Sequence, residues 1–325
     1  MATPLLEVKN LRVEFPTRRG TLLAIDDVSF DIAAGEVLGV VGESGAGKSL
    51  TGAAIIGLLE PPGRIAGGEI WLEGQRIDNL APAAMRAIRG RRIGAIFQDP
   101  LTSLNPLHTV GRQLIETIQT HLGLSNMQAR ARAAMLLQET GIPAAEQRLD
   151  QYPHQFSGGM RQRVVIALAL AAEPKLIVAD EPTTALDVSI QAQIIALLKR
   201  LCKDHGAAVM LVTHDMGVIA ETCDRVAVMY AGRIVEVGPV RAVIHQAAHP
   251  YTRGLMGSIP AMDDDRERLA QISGSMPRLN AIPAGCAFNP RCQHVFERCR
   301  VERPNLLAAP ATRAACWLHD GGSAT

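Results

Sequence analysis

The chain has 325 residues, enough for one large domain or two smaller ones, and 47% of them are hydrophobic while only 3% are aromatic. A packed core is within reach of that composition, and it has to be aliphatic. Thirty-three basic residues nearly balance 32 acidic ones for a net charge of +1, a field too weak to favour a polyanion along the chain, so no nucleic-acid partner is expected. Short arginine patches such as RAIRGRR (86–92) read as solvated helix faces. The opening MATPLLEVKN has no basic segment followed by an apolar stretch, which argues against a secretory signal. The longest apolar runs, such as VVIALALAA (164–172), are about half of what a bilayer-crossing helix needs. A cytoplasmic protein is expected, free to bind a membrane partner.

In chain order, residues 5–32 show short alternating or apolar runs that read as strands at a sheet edge. EVLGVVG (36–42) reads as a buried strand ending in glycine, with a helix over 48–59 directly behind it. GGEIWLEGQRI (67–77) predicts a hairpin-forming strand region. Residues 82–171 are helical in pattern, broken by loops such as QDPLTSLNPLHT. Strands and helices then alternate: KLIVAD (175–180), a helix near 188–203, and AAVMLVT (207–213). A hairpin over 225–238 turns at Ala231-Gly232. Beyond about residue 240 the regular pattern fades while proline, arginine and cysteine rise, which places a domain boundary there.

Between the buried strand and its helix lies GESGAGKS (42–49), made of Gly42, Glu43, Ser44, Gly45, Ala46, Gly47, Lys48 and Ser49, with Leu50 next. It fits the spacing of a phosphate-binding loop. Glycines let the backbone curl until its N–H groups converge on phosphate oxygens, and the following helix offers its positive end to the same anion. Lys48 supplies a point charge and Ser49 a hydroxyl for Mg²⁺. KLIVADEP (175–182) delivers Asp180 to the carboxyl end of a strand, where ligands sit in an open α/β sheet. Asp180 is placed to hold Mg²⁺ through water, and Glu181, facing another way, to polarise an attacking water.

With these motifs in place the sequence resembles the ATP-binding cassette proteins. FSGGMRQR (156–163) is similar to the family's signature motif, with Ser157, Gly158 and Gly159 in its core. Gln98 in IFQDP fits the Q-loop, Asp187 in ALDV (185–188) the D-loop, and His214 in VTHD (212–215) the switch histidine. The order is the family's, and the resemblance covers roughly residues 1–240. It implies an α/β fold: a P-loop cassette with a RecA-like core, an antiparallel β subdomain and a helical signature subdomain at about 82–171. A small cysteine-containing C-terminal domain over 241–325 completes the expected architecture. The resemblance implies that Gln98 and His214 serve hydrolysis beside Glu181, that Gln98 also reaches Mg²⁺, and that the signature closes over ATP held by another subunit. Phe15 stands at about the spacing of the adenine-stacking aromatic, and a core phenylalanine on a strand remains the alternative.

Narrower marks are QDPLTSLNP (98–106), DEPTTALDVSIQAQI (180–194), HPYTRGLMGSIP (249–260) and FNPRC (288–292). They resemble the dipeptide/oligopeptide importer branch, which also includes nickel importers, closest to the first ATPase of a dipeptide system. The resemblance implies ATP and Mg²⁺ as cofactors, a second related ATPase, two membrane permeases and, indirectly, a solute-binding protein, with the chain at the cytoplasmic face of the membrane. Import of nickel or another peptide-like solute is the alternative within this reading. A soluble ATP-switched interaction protein is the alternative outside it.

Four of the six cysteines, Cys286, Cys292, Cys299 and Cys316, crowd into the tail. A cytoplasmic chain keeps thiols reduced, which weakens a disulfide reading. Zinc favours closer cysteine pairs than these, whereas iron–sulfur clusters tolerate wider spacing. The resemblance points to a structural [4Fe–4S] cluster. Zinc and free thiols stay open, with His294 and His319 near enough in sequence to substitute as ligands. Cys202 and Cys223 read as core residues.

Overall fold

The apolar run of KLIVAD becomes the strand Leu176–Asp180, whose first four residues are buried. The computed structural model in which it is seen describes residues 3–183, 187–257 and 272–320. Two units make up the chain: Met1–Leu6, Asp31–Val37 and Trp71–Val212 in the first, Glu7–Phe30, Leu38–Ile70 and Thr213–Thr325 in the second.

In the first unit Leu176–Asp180 lies between two parallel neighbours, Ile93–Ile96 and Ala208–Val212, in the register Ile93–Leu176–Ala208. All three are aliphatic, as strands covered on both faces must be. Ile93–Ile96 lies inside the stretch whose pattern predicts helix. Four residues, IGAI, are too few to show a period, so only pairing to Leu176–Asp180 marks them as strand. The helix Gly158–Leu170 packs against Ile93–Ile96, and the helices Val110–Leu122 and Asn126–Glu139 pack on it and on each other. Thr109, Ser125 and Ser157 cap their N-termini by accepting backbone N–H bonds, and Ser125 forms a capping box with Gln128.

In the second unit the strand Leu6–Thr17 has Gly20–Ile32 on one side and Arg64–Leu72 on the other. Val37–Val41 runs parallel to Arg225–Tyr230. The hairpin predicted at 225–238 is present: Arg225–Tyr230 returns as Arg233–Pro239 through Ala231 and Gly232, at φ 47° and 78°. Two positive φ values match the twist of a tight hairpin. The tail adds two short strands beyond it. Arg313–Ala314 pairs with Arg233–Pro239, and Leu307–Ala308 pairs with Arg313–Ala314.

Among the described residues the core is mainly aliphatic, and in the second unit Tyr230, Tyr251 and Phe288 gather into an aromatic cluster, edge to face or tilted, with ring centroids 4.7 to 5.5 Å apart. Beside them Glu236 is fully buried, and three donors satisfy its carboxylate. Ala248 N–H (2.8 Å), His249 N–H (2.9 Å) and the Thr312 hydroxyl (2.8 Å) all donate to it. Cys202 and Cys223 are buried, as core residues should be.

Replacing Glu236 by Ala leaves those donors without a partner, and chemical denaturation should show a loss of about 3 kcal/mol. His249 supplies a pH dependence. Burial holds its pKa down to about 3, helped by the charges of His319 and Arg253. The unfolded imidazole titrates near 6.5. The unfolded chain therefore binds the extra proton between about pH 6.5 and 3, and stability is full above that window and falls as pH drops into it. The expected slope is about 1.4 kcal/mol per pH unit. A His249→Gln chain should lose that slope between pH 7 and 5 in denaturation midpoints.

Candidate nucleotide site

The strand Val37–Val41 is buried throughout and feeds the loop that ends in the helix Lys48–Ile55. Gly42 and Gly47 stand at φ 152° and 102°, a region that favours glycine. A Cβ on Gly42 would lie 2.3 Å from the Met229 carbonyl oxygen, and one on Gly47 would lie 2.5 Å from Ile25 Cδ1. At Gly42 the backbone closes the position to any side chain, whereas at Gly47 the neighbour is the end of a side chain and the positive φ is what disfavours one. Ala46, at the bottom of the curl, donates its N–H to Glu43 O (3.1 Å) and accepts from Gly232 N–H (2.9 Å). Ser44, Gly45 and Ser49 are exposed on the open side, and Leu50 is half-buried on the helix. Lys48 is only 6% exposed, and its ammonium donates to Gly42 O (2.8 Å) and Glu43 O (3.2 Å). The helix has no acidic residue in its first turn and no side-chain cap at Gly47. Its first N–H groups and the lysine form a donor set suited to phosphate, so the loop fits an Mg²⁺-bound nucleoside triphosphate.

Glu43 has partners that its place in the motif does not announce. Its N–H donates to the Tyr251 hydroxyl (2.9 Å), and its carboxylate accepts Arg291 Nη1 at 3.0 and 3.1 Å. Both partners come from the tail. Their signal in the sequence is that Tyr251 falls in HPYTRGLMGSIP and Arg291 in FNPRC. Burial raises the pKa of Tyr251, which keeps its hydroxyl protonated. Phe15 is half-buried on its strand, with its ring against the backbone of Gly63. His214 is exposed. It follows Thr213, whose N–H donates to Val40 O (3.2 Å) at the end of the strand that enters the loop. Asp215 then caps the helix Met216–Thr222.

Gln98, the signature residues, Asp180, Glu181 and Asp187 belong to the other unit. Asp180 ends its strand. Glu181 turns away with a left-handed backbone, φ 45°, held by its N–H donating to Val212 O (2.9 Å). That conformation costs a side-chain-bearing residue about 1 kcal/mol or more and persists only where the surroundings impose it. It brings Glu181 Oε2 to 3.1 Å from Gln98 Nε2, which donates. Ser157 and Gly158 form the exposed start of the helix Gly158–Leu170, where Ser157 Oγ accepts from Met160 N–H. Gly159 lets Ile190 approach, since a Cβ there would lie 3.1 Å from it. Asp187 is exposed at the start of the helix Val188–Asp204. Ala185 and Leu186 of the D-loop segment, and residues 258–260 of HPYTRGLMGSIP, lie outside the described residues.

The ABC transporter family model matches residues 25–184, and the model for the oligopeptide/dipeptide transporter C-terminal region matches 235–299. The chain is 47% identical to the oligopeptide transport ATP-binding protein OppD of Haemophilus influenzae over 97% of both chains. It is 45% identical to the dipeptide transport ATP-binding protein DppD of Escherichia coli over 99% of both. This chain belongs to the ABC transporter family, in its oligopeptide/dipeptide branch. Among solved structures the ABC protein resembles the dimeric ATP-binding cassette MJ0796 bound to ADP and Pi, at 29% identity and a TM-score of 0.65. That match covers 73% of this chain and 99% of the other.

One expectation needs correction. The ABC protein's four tail cysteines, Cys286, Cys292, Cys299 and Cys316, do line one small apolar cavity with His249 and His294. All four are free thiols. Burial pushes the Cys286 thiol up to about 11 and raises those of Cys292 and Cys316. Among the described residues no group of three or more His, Cys, Asp or Glu side chains is arranged to hold a metal ion. The [4Fe–4S] cluster, and zinc in its place, are therefore withdrawn. His294 is exposed and His319 bonds Ala248 O.

The closed space at Gly42 gives a direct test of the loop. Gly42→Ala should weaken ATP binding by more than about tenfold in a fluorescent-nucleotide titration, because the loop must uncurl to admit the methyl.

Proposed function

We propose that this chain is the ATP-binding and ATP-hydrolysing subunit that powers uptake of dipeptides or oligopeptides across the cytoplasmic membrane. The observation that carries the reading is identity of 45 to 47% with oligopeptide and dipeptide transport ATP-binding proteins over nearly the whole chain, tail included. ATP supplies the γ-phosphoryl group whose transfer to water drives transport. Backbone N–H groups of the 42–49 loop hold phosphate oxygens, and Lys48 neutralises their charge. Ser49, Gln98 and Asp180 are the residues that would hold Mg²⁺, which would offset charge on the phosphate oxygens. Glu181 polarises the attacking water as general base, and its bond with Gln98 supports that role. His214 steadies the transferring phosphoryl group, and Phe15 stacks on the adenine. Ser157, Gly158, Gly159 and Asp187 close over ATP held by a second, related ATPase, and the exposure of Ser157 and Gly158 is consistent with a surface awaiting a partner.

Residues 1–240 form the cassette, with the helical signature subdomain at about 82–171. Residues 241–325 form a small cysteine-containing C-terminal domain, fastened by pairing of Arg313–Ala314 to Arg233–Pro239. Among the described residues no helix is long and apolar enough to cross a membrane. The chain takes its place at the cytoplasmic face through two permeases, which receive solute from a separate binding protein.

Glu181→Gln removes the base and keeps the phosphate loop. In the purified importer it should bind ATP normally, hydrolyse it about 10²-fold more slowly, and stop dipeptide uptake into vesicles. Turnover at the unmodified rate would overturn the assignment.

A further inference from the structure

We propose that Arg291 and Tyr251 are positioning residues of the nucleotide site: through Glu43 they hold the first turn of the phosphate loop in the curl that binds ATP. The proposal rests on the ATPase reading above and goes beyond it, since it makes ATP affinity depend on two tail side chains 208 and 248 residues away from Glu43 in sequence.

Glu43 is the hinge of the loop's first turn. Its carbonyl receives two donors, Ala46 N–H at 3.1 Å and the Lys48 ammonium at 3.2 Å. With the Gly42 carbonyl at 2.8 Å, it helps to set where the Lys48 ammonium sits. The rest of Glu43 is held from the tail. Tyr251 accepts its N–H, and Arg291 grips both carboxylate oxygens. No atom of Glu43's peptide unit that can bond is left to adjust on its own.

Both tail residues are fixed before they reach the loop. Tyr251 is fully buried and stacked edge to face on Tyr230. Its own N–H donates to His249 Nδ1 (3.0 Å), and His249 N–H donates to the buried Glu236 carboxylate. The hydroxyl is thus delivered by a chain of buried bonds that starts on the strand Arg233–Pro239. The Arg291 side chain is 7% exposed. Its Nε donates to Ser273 O (2.8 Å), and its guanidinium lies 5.8 Å from the ring centres of both Tyr230 and Phe288. A planar guanidinium locked this way aims one nitrogen, Nη1, at both carboxylate oxygens of Glu43. Loss of Glu43 leaves the Arg291 charge with little solvent around it, which a mobile surface pair would not.

The test is ATP affinity of the full-length chain, measured with a fluorescent ATP analogue, alongside thermal melting. Arg291→Gln should weaken binding about tenfold, as loss of a charge-assisted bond does, and Arg291→Lys should recover part of it. Tyr251→Phe, which keeps the ring and its packing, should weaken binding in the same direction. It carries the test if Arg291→Gln does not fold. Arg291→Gln combined with Glu43→Gln should be no worse than the weaker-binding single variant, because both break one tie. Arg303→Gln breaks a different ion pair of the tail, to Asp26, and should leave ATP affinity unchanged. Wild-type affinity in both Arg291→Gln and Tyr251→Phe, additive effects in the double variant, or an equal loss in Arg303→Gln would overturn the proposal. Lys48→Ala separates the two readings. Retained ATP binding there would sink the ATPase reading itself, whereas loss there with intact binding in the tail variants sinks only the positioning role.

Discussion

The Met229 carbonyl stands so close to Gly42 that only a hydrogen fits between them, and the phosphate loop takes its shape from that contact. Backbone presses on backbone, with no side chain to yield. The same hairpin supports the loop from below, where Gly232 donates its N–H to Ala46. A loop held in this way points its N–H groups inward without help from the ligand, and a preformed anion site loses little entropy on binding. Lys48, buried against the loop's own carbonyls, adds the charge.

The hairpin in turn depends on what the tail places against it. A chain with few aromatics puts two of its three tyrosines and a phenylalanine into one cluster beside the loop. A buried carboxylate, Glu236, is tolerated there because three donors from the tail segments satisfy it. The tail is therefore held by polar bonds in a dry setting, where each bond is strong and each missing partner is costly. The same burial raises the pKa values of Cys286, Cys292 and Cys316.

The carboxylate proposed to polarise the attacking water follows a different rule. Glu181 accepts a left-handed backbone that most residues avoid, because its N–H is claimed by Val212 and its side chain by Gln98. Local preference is overridden at the position where direction matters most, as is common at functional sites.

Much of this was legible in the residues themselves. A strand, a glycine-rich turn and a lysine at fixed spacing can form only a few local structures, so Gly42–Ser49, the Asp180 strand end, the Ala231-Gly232 turn and the Ser157-capped helix could be read in order. The strand Ile93–Ile96 could not, because four residues carry no period and pairing alone defines them. Nor could the state of the cysteines, since spacing shows that thiols are near in sequence but not whether their surroundings allow a charge. Glu43 marks the division most sharply. Its place in the loop follows from the motif, which is local chemistry. Its hold by Tyr251 and Arg291 was decided only by tertiary structure, because packing brings together side chains that no local rule relates.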